Sequence, residues 1–448
     1  MPIETIFIAM MENRSFDHLL GYLSLEGHEM EGQRADAAWR EGVSNPHLGQ
    51  VYRPFALDDP YSAIKADPPH GRDAIATQIG KPDGGRYPMK GFVDSYAEAK
   101  ALAGGPVGNH PPVMGYFSAE QAPVIDFLAR NFAVCDHWHA ALPAGTQPNR
   151  LMAMSGYSRI DTNRVPMPHH NLVYDWLTHH KIPWRVYHSG IPFFALMLDR
   201  LDDMLDHDRF RPFGQLFNDL QDEPPGDFPR VVFLEPVYAD APHIGVSNDD
   251  HAPGGIRGGQ EFLLDIYRSI TRVPAVWERS LLIVTYDEHG GFFDHVSPPV
   301  VHTAPPADAF YQQSFESLGV RVPAILVSPF VSPGSVCHDV MDHTSILKFL
   351  GEMFGDGSGY SPEVDARAVH SLSRALDNPA GGHPAPVIAS LQDYIDRAPQ
   401  AAGRLPGTQP DTEIQQGFQR ALDQIRDHPA RPAGTYDALL AAFPREIA

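Results

Sequence analysis

Six short runs of the chain are almost continuously apolar and rich in β-branched residues: 5–10, 132–135, 184–187, 230–234, 281–286 and 322–328. Runs of that length without polar alternation suit strands covered on both faces, as in parallel sheets. Between them, 147–156, 172–180, 260–270 and 345–353 read as helices. Strands and helices alternating in this way predict an α/β layered fold, with a mostly parallel central sheet flanked by helices.

Two Pro/Gly-rich stretches, roughly 27–115 and 294–318, interrupt the alternation. Loops so long in a compact domain usually form lids or walls around a site. Beyond 372 the composition changes, and "NPAGGHPAP", "APQAAGRLPGTQP" and "DHPARPAG" punctuate short amphipathic helices. The expected organisation is one catalytic domain over 1–371 and a helical accessory tail over 372–448, packed on the core. The acidic run "DRLDDMLDHDRF" (199–210) reads as a solvated helix face. No internal repeat of fixed period is present.

Composition narrows the functional classes. A chain of 448 residues can bury a sizeable core, and 34 Lys and Arg against 56 Asp and Glu leave a formal charge of −22. That balance disfavours nucleic acid and anionic membrane surfaces as partners. Histidine is frequent at 23, which suits metal or phosphate chemistry. The two cysteines, Cys135 and Cys337, rule out a disulfide framework and read as buried, reduced thiols. No apolar run reaches the roughly 18 residues of a membrane span, so no stable membrane insertion is expected. The N-terminus reads as a strand and not a signal peptide, so the expected location is cytoplasmic.

Several familiar catalytic signatures are missing: there is no G-x-x-x-x-G-K-[ST], no G-x-S-x-G and no H-E-x-x-H. Three polar clusters instead follow predicted strands, where an open α/β sheet gathers its ligands. They are "ENRSFDH" after the first strand, "AALPAGTQPNR" at 140–150, and "YDEHGGFFDHV" at 286–296. Adjacent carboxylates such as Asp287 and Glu288 can converge only where a strand has ended, and Gly290–Gly291 supplies the turn. Glu12, Asn13, Asp287 and Glu288 make a hard, oxygen-rich set suited to a divalent cation. Thr146 stands at a predicted helix N-terminus, where free N–H groups favour a phosphate. Its hydroxyl is a nucleophile only if activated, for which a metal ion is the available means. Taken alone, each feature also has a plain structural reading: solvated carboxylates, and Thr as a helix cap.

The motifs "ENRSFDHLLG" (12–21), "TQPNR" (146–150), "DEHGGFFDHV" (287–296) and "GVRVPAILVSP" (319–329) stand in order along the chain. In these the chain resembles the bacterial phospholipase C/acid phosphatase family, which includes the plant non-specific phospholipases C. The resemblance implies an alkaline-phosphatase-like fold. It also implies that Glu12, Asn13, Asp287 and Glu288 bind the metal, with Thr146 both ligand and phosphoryl-accepting nucleophile. His70 in "DPPHGRD", His188 in "WRVYHSG" and His251 in "NDDHAP" stand in matching segments and are implied to bind the phosphate beside Asn13 and to assist catalysis.

Three carboxylates against one dication leave a net charge of about −1, so a phosphate needs cationic donors there. Histidines in that role imply an activity optimum on the acidic side of neutrality. Arg14 and Arg150 are expected to brace carboxylates or carbonyls, and His18 to lie outside the site. Asp342–His343 is expected to cap the helix beginning near Ser345. The expected activity is hydrolysis of phosphate esters through phosphothreonine at Thr146, with Mg²⁺, Ca²⁺, Mn²⁺ or Zn²⁺ as cofactor. A soluble phosphomonoesterase, a phosphotransferase and a non-catalytic metal-stabilised binding protein are the alternatives.

Overall fold

Eight strands form the central sheet of the computed structural model, which describes residues 3–57, 66–99, 106–204, 206, 208–224, 226–241, 247–387 and 412–427. In chain order they are β1 (Thr5–Met11), β2 (Ala133–Cys135), β3 (Trp184–His188), β4 (Phe210–Pro212), β5 (Val231–Glu235), β6 (Ser280–Tyr286), β7 (Ala324–Val327) and β8 (Val336–Cys337). Across the sheet they lie β8-β2-β7-β6-β1-β5-β3-β4. Every described pairing is parallel except those of β7, which runs against both β6 and β2. The α/β fold with a mostly parallel sheet is therefore as expected.

Unbroken apolar runs account for the centre. β3, β5 and β6 are buried along their whole length, as strands covered on both faces must be. Two strands had no readable pattern. β8 has two residues and β4 has three, with Pro212 tolerated because β4 is an edge strand. The 322–328 run is a strand as expected, but burial alone carries no information about its direction.

The helices that matter for the site are α1 (Phe16–Leu19), α2 (Thr146–Ser155), α3 (Val173–His179), α4 (Arg257–Thr271), α5 (Thr344–Phe354) and α6 (Glu413–Asp427). α2 and α5 meet over the sheet face carrying Ile8, Met10 and Phe233, around a small apolar cavity bordered by Met154, Ile346 and Leu350. α4 buries Phe262, Ile266 and Ile270 and packs beside the helix Pro123–Asn131. No helix among the described residues is long and apolar enough to cross a membrane.

Among its described residues the 27–115 stretch carries three α-helices, Ala37–Gly42, Arg72–Ile79 and Phe92–Ala97, and a small core of its own around Ile75, Phe92 and Val93. Phe293 and Val320 enter that core and join it to the body. In the acidic run, Asp199, Asp202 and Asp203 face solvent while Leu201 and Met204 point inward, and the run ends in β4. Of the tail, α6 lays Phe418 against Tyr238, with ring centroids 5.9 Å apart, while "APQAAGRLPGTQP" lies outside the described residues.

Candidate active site

β1 and β6 run in register as far as Met11 and Tyr286, so Glu12 and Asp287 leave the sheet side by side. Asn13 takes a left-handed backbone conformation, φ 62°, which Asn tolerates better than most residues. Asp287 Oδ1 accepts from the backbone N–H of Asn13 (3.1 Å) and of Glu288 (2.7 Å). Glu288 Oε2 accepts from Gly290 N (2.8 Å), closing the turn that aims both carboxylates at Asn13. Glu12, Asn13, Asp287 and Glu288 are all buried.

The Asn13 carboxamide is the hub. One of its terminal atoms lies 2.6 Å from Glu288 Oε1, 3.2 Å from Asp287 Oδ1 and 3.5 Å from Thr146 Oγ1. Its other terminal atom lies 2.8 Å from His251 Nε2 and 3.5 Å from His70 Nε2. With nitrogen toward the carboxylates, the amide satisfies them by donating to both, and its oxygen accepts from His251. With oxygen there, four oxygens of four side chains converge in a buried space, an arrangement that a hard cation holds together. The residues present therefore fit a divalent ion.

Charge agrees. Burial raises the Glu12 carboxyl above its usual range against Arg150 and His251, and pushes Asp287 up to about 6 against Arg150. Arg150, on the second turn of α2, supplies the arginine brace. Its Nε donates to Asp287 Oδ2 (3.2 Å), its Nη2 lies 3.2 Å from Glu12 Oε1, and its guanidinium packs over Phe193 and Tyr238. Arg14 braces the other side, donating from Nε to Asp250 O (2.7 Å) and from Nη2 to Gly254 O (2.9 Å). It thereby holds the loop that carries His251.

Thr146 is the first residue of α2, fully buried, with its hydroxyl toward Asn13. The loop before it is tied by Asn149, whose Oδ1 accepts from Leu142 N (2.9 Å) and whose Nδ2 donates to Ala144 O (2.7 Å). Arg72 clasps the surrounding walls: its Nη1 donates to Asp161 (2.8 Å), and its Nη2 to Gln313 O and Ser314 O, over the Phe315 ring. Those bonds join the 27–115 and 294–318 stretches two residues from His70.

The histidines divide. His70 Nδ1 donates to Pro68 O (2.7 Å), which turns Nε2 toward Asn13. Burial opposes its charge, but Glu288 and Asp67 outweigh that and raise its pKa. His251 Nδ1 lies 3.2 Å from Glu12 Oε2, and its Nε2 is 3.5 Å from Asp67 Oδ2. Against burial, Asp67, Glu12 and Asp240 hold it well above the ordinary value.

His188 stands at the same rim, on β3, two strands from β1. Its Nδ1 donates to Gly190 O (2.7 Å), and burial lowers it to about 4, so it is neutral. His18 is neutral too, stacked on Phe292 3.9 Å away and bonded to Gly115 O. His343 donates from Nε2 to Asp287 O (2.6 Å) and accepts from Trp138 at Nδ1, a support under the carboxylate turn. Asp342 Oδ1 accepts from the N–H of Thr344 (2.8 Å), the first residue of α5, while the N-cap position itself is His343.

Three carboxylates at the site carry no motif of their own. Asp67 joins His70 and His251, and Asp249 joins Glu12 and His251, in clusters tight enough to hold a metal ion. Asp240 lies 3.7 Å from His251 Nδ1. The available signal was adjacency: Asp67 and Asp249 sit in the same short motifs as His70 and His251. A further cluster, Asp17, Asp294 and His295, has its own cation in the buried Arg321, which donates to Asp294 (2.9 Å).

A family model described as Phosphoesterase family matches residues 3–355. Non-specific phospholipase C1 of Arabidopsis thaliana is 32% identical over 389 residues, covering 82% of this chain and 70% of the relative. Phospholipase C B of Mycobacterium tuberculosis is 29% identical over 399 residues, covering 79% and 73%. Among solved structures, the phosphonate monoester hydrolase of Agrobacterium radiobacter is similar over 85% of this chain and 78% of that one, at 11% identity and TM-score 0.39.

Proposed function

Because the chain belongs to the phosphoesterase family and is a phosphoester hydrolase, we propose that it cleaves phosphodiesters of the phospholipase C type with Thr146 as nucleophile. The observation that carries this is the placement of the Thr146 hydroxyl. It sits at the N-terminus of a buried helix, 3.5 Å from the Asn13 carboxamide, with carboxylates on one side and two raised-pKa histidines on the other.

A divalent ion would be held by Glu12, Asn13, Thr146, Asp287 and Glu288, and would supply charge to lower the Thr146 hydroxyl pKa and to offset the phosphoryl oxygens. Thr146, its proton released to solvent, attacks phosphorus in line through Oγ1, forming the O–P bond as the bond to the leaving alkoxide breaks. His70 or His251 gives that alkoxide its proton, and both hold the phosphoryl oxygens beside Asn13. The backbone N–H of Thr146 adds one donor at the α2 N-terminus, since Gln147 N already donates to Asn163 Oδ1 (3.1 Å) and Pro148 has no N–H. Water then cleaves phosphothreonine, releasing a phosphomonoester from a diester or phosphate from a monoester. His188 presents Nε2 as an acceptor, because its Nδ1–H is committed to Gly190 O. That makes it a partner for a substrate hydroxyl and not for a phosphoryl oxygen.

The test is hydrolysis of p-nitrophenylphosphorylcholine, a bis-phosphodiester and p-nitrophenyl phosphate, with Mg²⁺, Ca²⁺, Mn²⁺ and Zn²⁺ restored singly after chelation. The phosphorylcholine ester should be cleaved fastest; preference for the monoester would make the protein a phosphatase. Thr146→Ala should lose roughly a thousandfold or more in kcat. Full activity in that variant would dismiss the nucleophile, and no hydrolysis under any metal would favour a binding protein.

A further inference from the structure

Cys135 and Cys337 are the only cysteines of the chain, and both are free thiols. Far apart in sequence, they are direct partners in space. β8 pairs with β2 in parallel, with Cys337 opposite Cys135. Backbone bonds from Val134 N to Ser335 O (2.9 Å) and from Asp136 N to Cys337 O (3.2 Å) fix that register on both sides.

Directly paired side chains share one face of the sheet, and neighbouring strands lie about 4.8 Å apart. That spacing falls within the roughly 4.4–6.8 Å between Cα atoms that a disulfide requires. With Cys337 directly opposite Cys135 in the ladder, the two thiols are immediate neighbours. No third ligand joins them in a metal-binding cluster among the described residues.

We propose that Cys135 and Cys337 form a redox-active dithiol at the sheet edge, closed to a disulfide by hydroperoxides and reopened by small thiols. The pair is asymmetric in the way such a reaction needs. Cys337 is half-buried on the last strand of the sheet, whereas Cys135 is fully buried behind it. The adjoining Cys135 thiol brings the Cys337 thiol down to about 7, while Cys337 and burial push Cys135 up. Near neutral pH, Cys337 is therefore in part thiolate, the form that reacts.

The Cys337 thiolate attacks the hydroperoxide ROOH, breaking the O–O bond. It becomes a sulfenic acid while the peroxide is reduced to the alcohol, or to water when R is hydrogen. The Cys135 sulfur then attacks the Cys337 sulfur, the S–O bond breaks, and water leaves with the Cys135 proton. A dithiothreitol-type thiol reverses the closure by exchange through a mixed disulfide.

Counting thiols after hydrogen peroxide treatment and denaturation tests the proposal. The untreated protein should titrate two thiols with Ellman's reagent, the treated protein none, and dithiothreitol should restore both. Intact mass should fall by two hydrogens, with no dimer on a non-reducing gel. In Cys135→Ala, a dimedone-trapped sulfenic acid should accumulate on Cys337. In Cys337→Ser, Cys135 should stay reduced. Survival of both thiols in wild type, oxidation past sulfenic acid without the cross-link, or a disulfide between molecules would each overturn the proposal. The wild-type measurement decides the matter even if a variant fails to fold.

Discussion

Gly290 and Asn13 touch at their backbones: a Cβ placed on Gly290 would lie 2.1 Å from Asn13 O. Gly290 also has φ +63°, which L side chains rarely adopt. Gly290→Ala should therefore destabilise the fold by more than about 1 kcal/mol, from the conformation alone, with the clash added. Because the atom it strikes belongs to Asn13, hydrolysis should fall further than the loss of folded protein explains. Urea unfolding alongside kcat on the same preparation checks both parts.

Arg150 pairs with two buried carboxylates at once, Glu12 and Asp287. Arg150→Met removes the cation and leaves Glu12 and Asp287 facing each other in a dry site, at a cost of about 3–5 kcal/mol. Arg150→Lys keeps the charge but cannot place donors on both carboxylates and over the Phe193 ring, so it should fall between the two. Chemical denaturation of the three proteins gives the order.

Chelation should lower the thermal midpoint more above pH 6 than below it. Without a dication, burial pushes the Asp287 carboxyl up to about 6, despite Arg150. Below that pH it takes up a proton and the convergence of charge is relieved; above it the charge stays. Midpoints with and without chelator, compared across that range, should diverge as pH rises.

His295 gives a pH effect remote from the chemistry. Its Nδ1 lies 2.7 Å from Asp17 Oδ2 and its Nε2 3.2 Å from Glu31 Oε1, with Arg321 and Asp294 behind. Burial disfavours its charge, but Asp17 and Glu31 overcome that and raise it from 6.5 to about 9. A histidine raised by folding stabilises fully below its unfolded value and loses that contribution as pH rises through the folded one. Stability should therefore decline between pH 6.5 and about 9, by on the order of 3 kcal/mol. His295→Asn should flatten that slope in denaturant titrations.

Much of the rim could be read from the chain because each piece carries a local signature. An apolar run that stops at Glu12, and another that stops at Asp287, mark two strand ends. Once both runs were placed in one parallel sheet, their ends had to meet. Asp240 was illegible for the opposite reason: it stands in no motif, and an aspartate in a loop looks the same wherever the loop goes. Asp67 and Asp249 share the short motifs of His70 and His251, but nothing local says that both would face His251. The direction of β7 and the existence of β4 and β8 escaped likewise, since a two- or three-residue strand has no period to detect.

The reversed β7 fixes where the intervening chain lies. Because β6 runs toward the rim that holds Glu12 and Asp287 and β7 runs away from it, everything from Asp287 to Pro323 stays at one end of the sheet, without a crossover. The 294–318 wall thus spans two strands of the sheet and is pinned at both ends, by Asp294 and His295 to Arg321 and Asp17 and by Gln313 and Ser314 to Arg72. A change between those pins alters the wall alone, while the carboxylates of Asp287 and Glu288 stay where the end of β6 puts them.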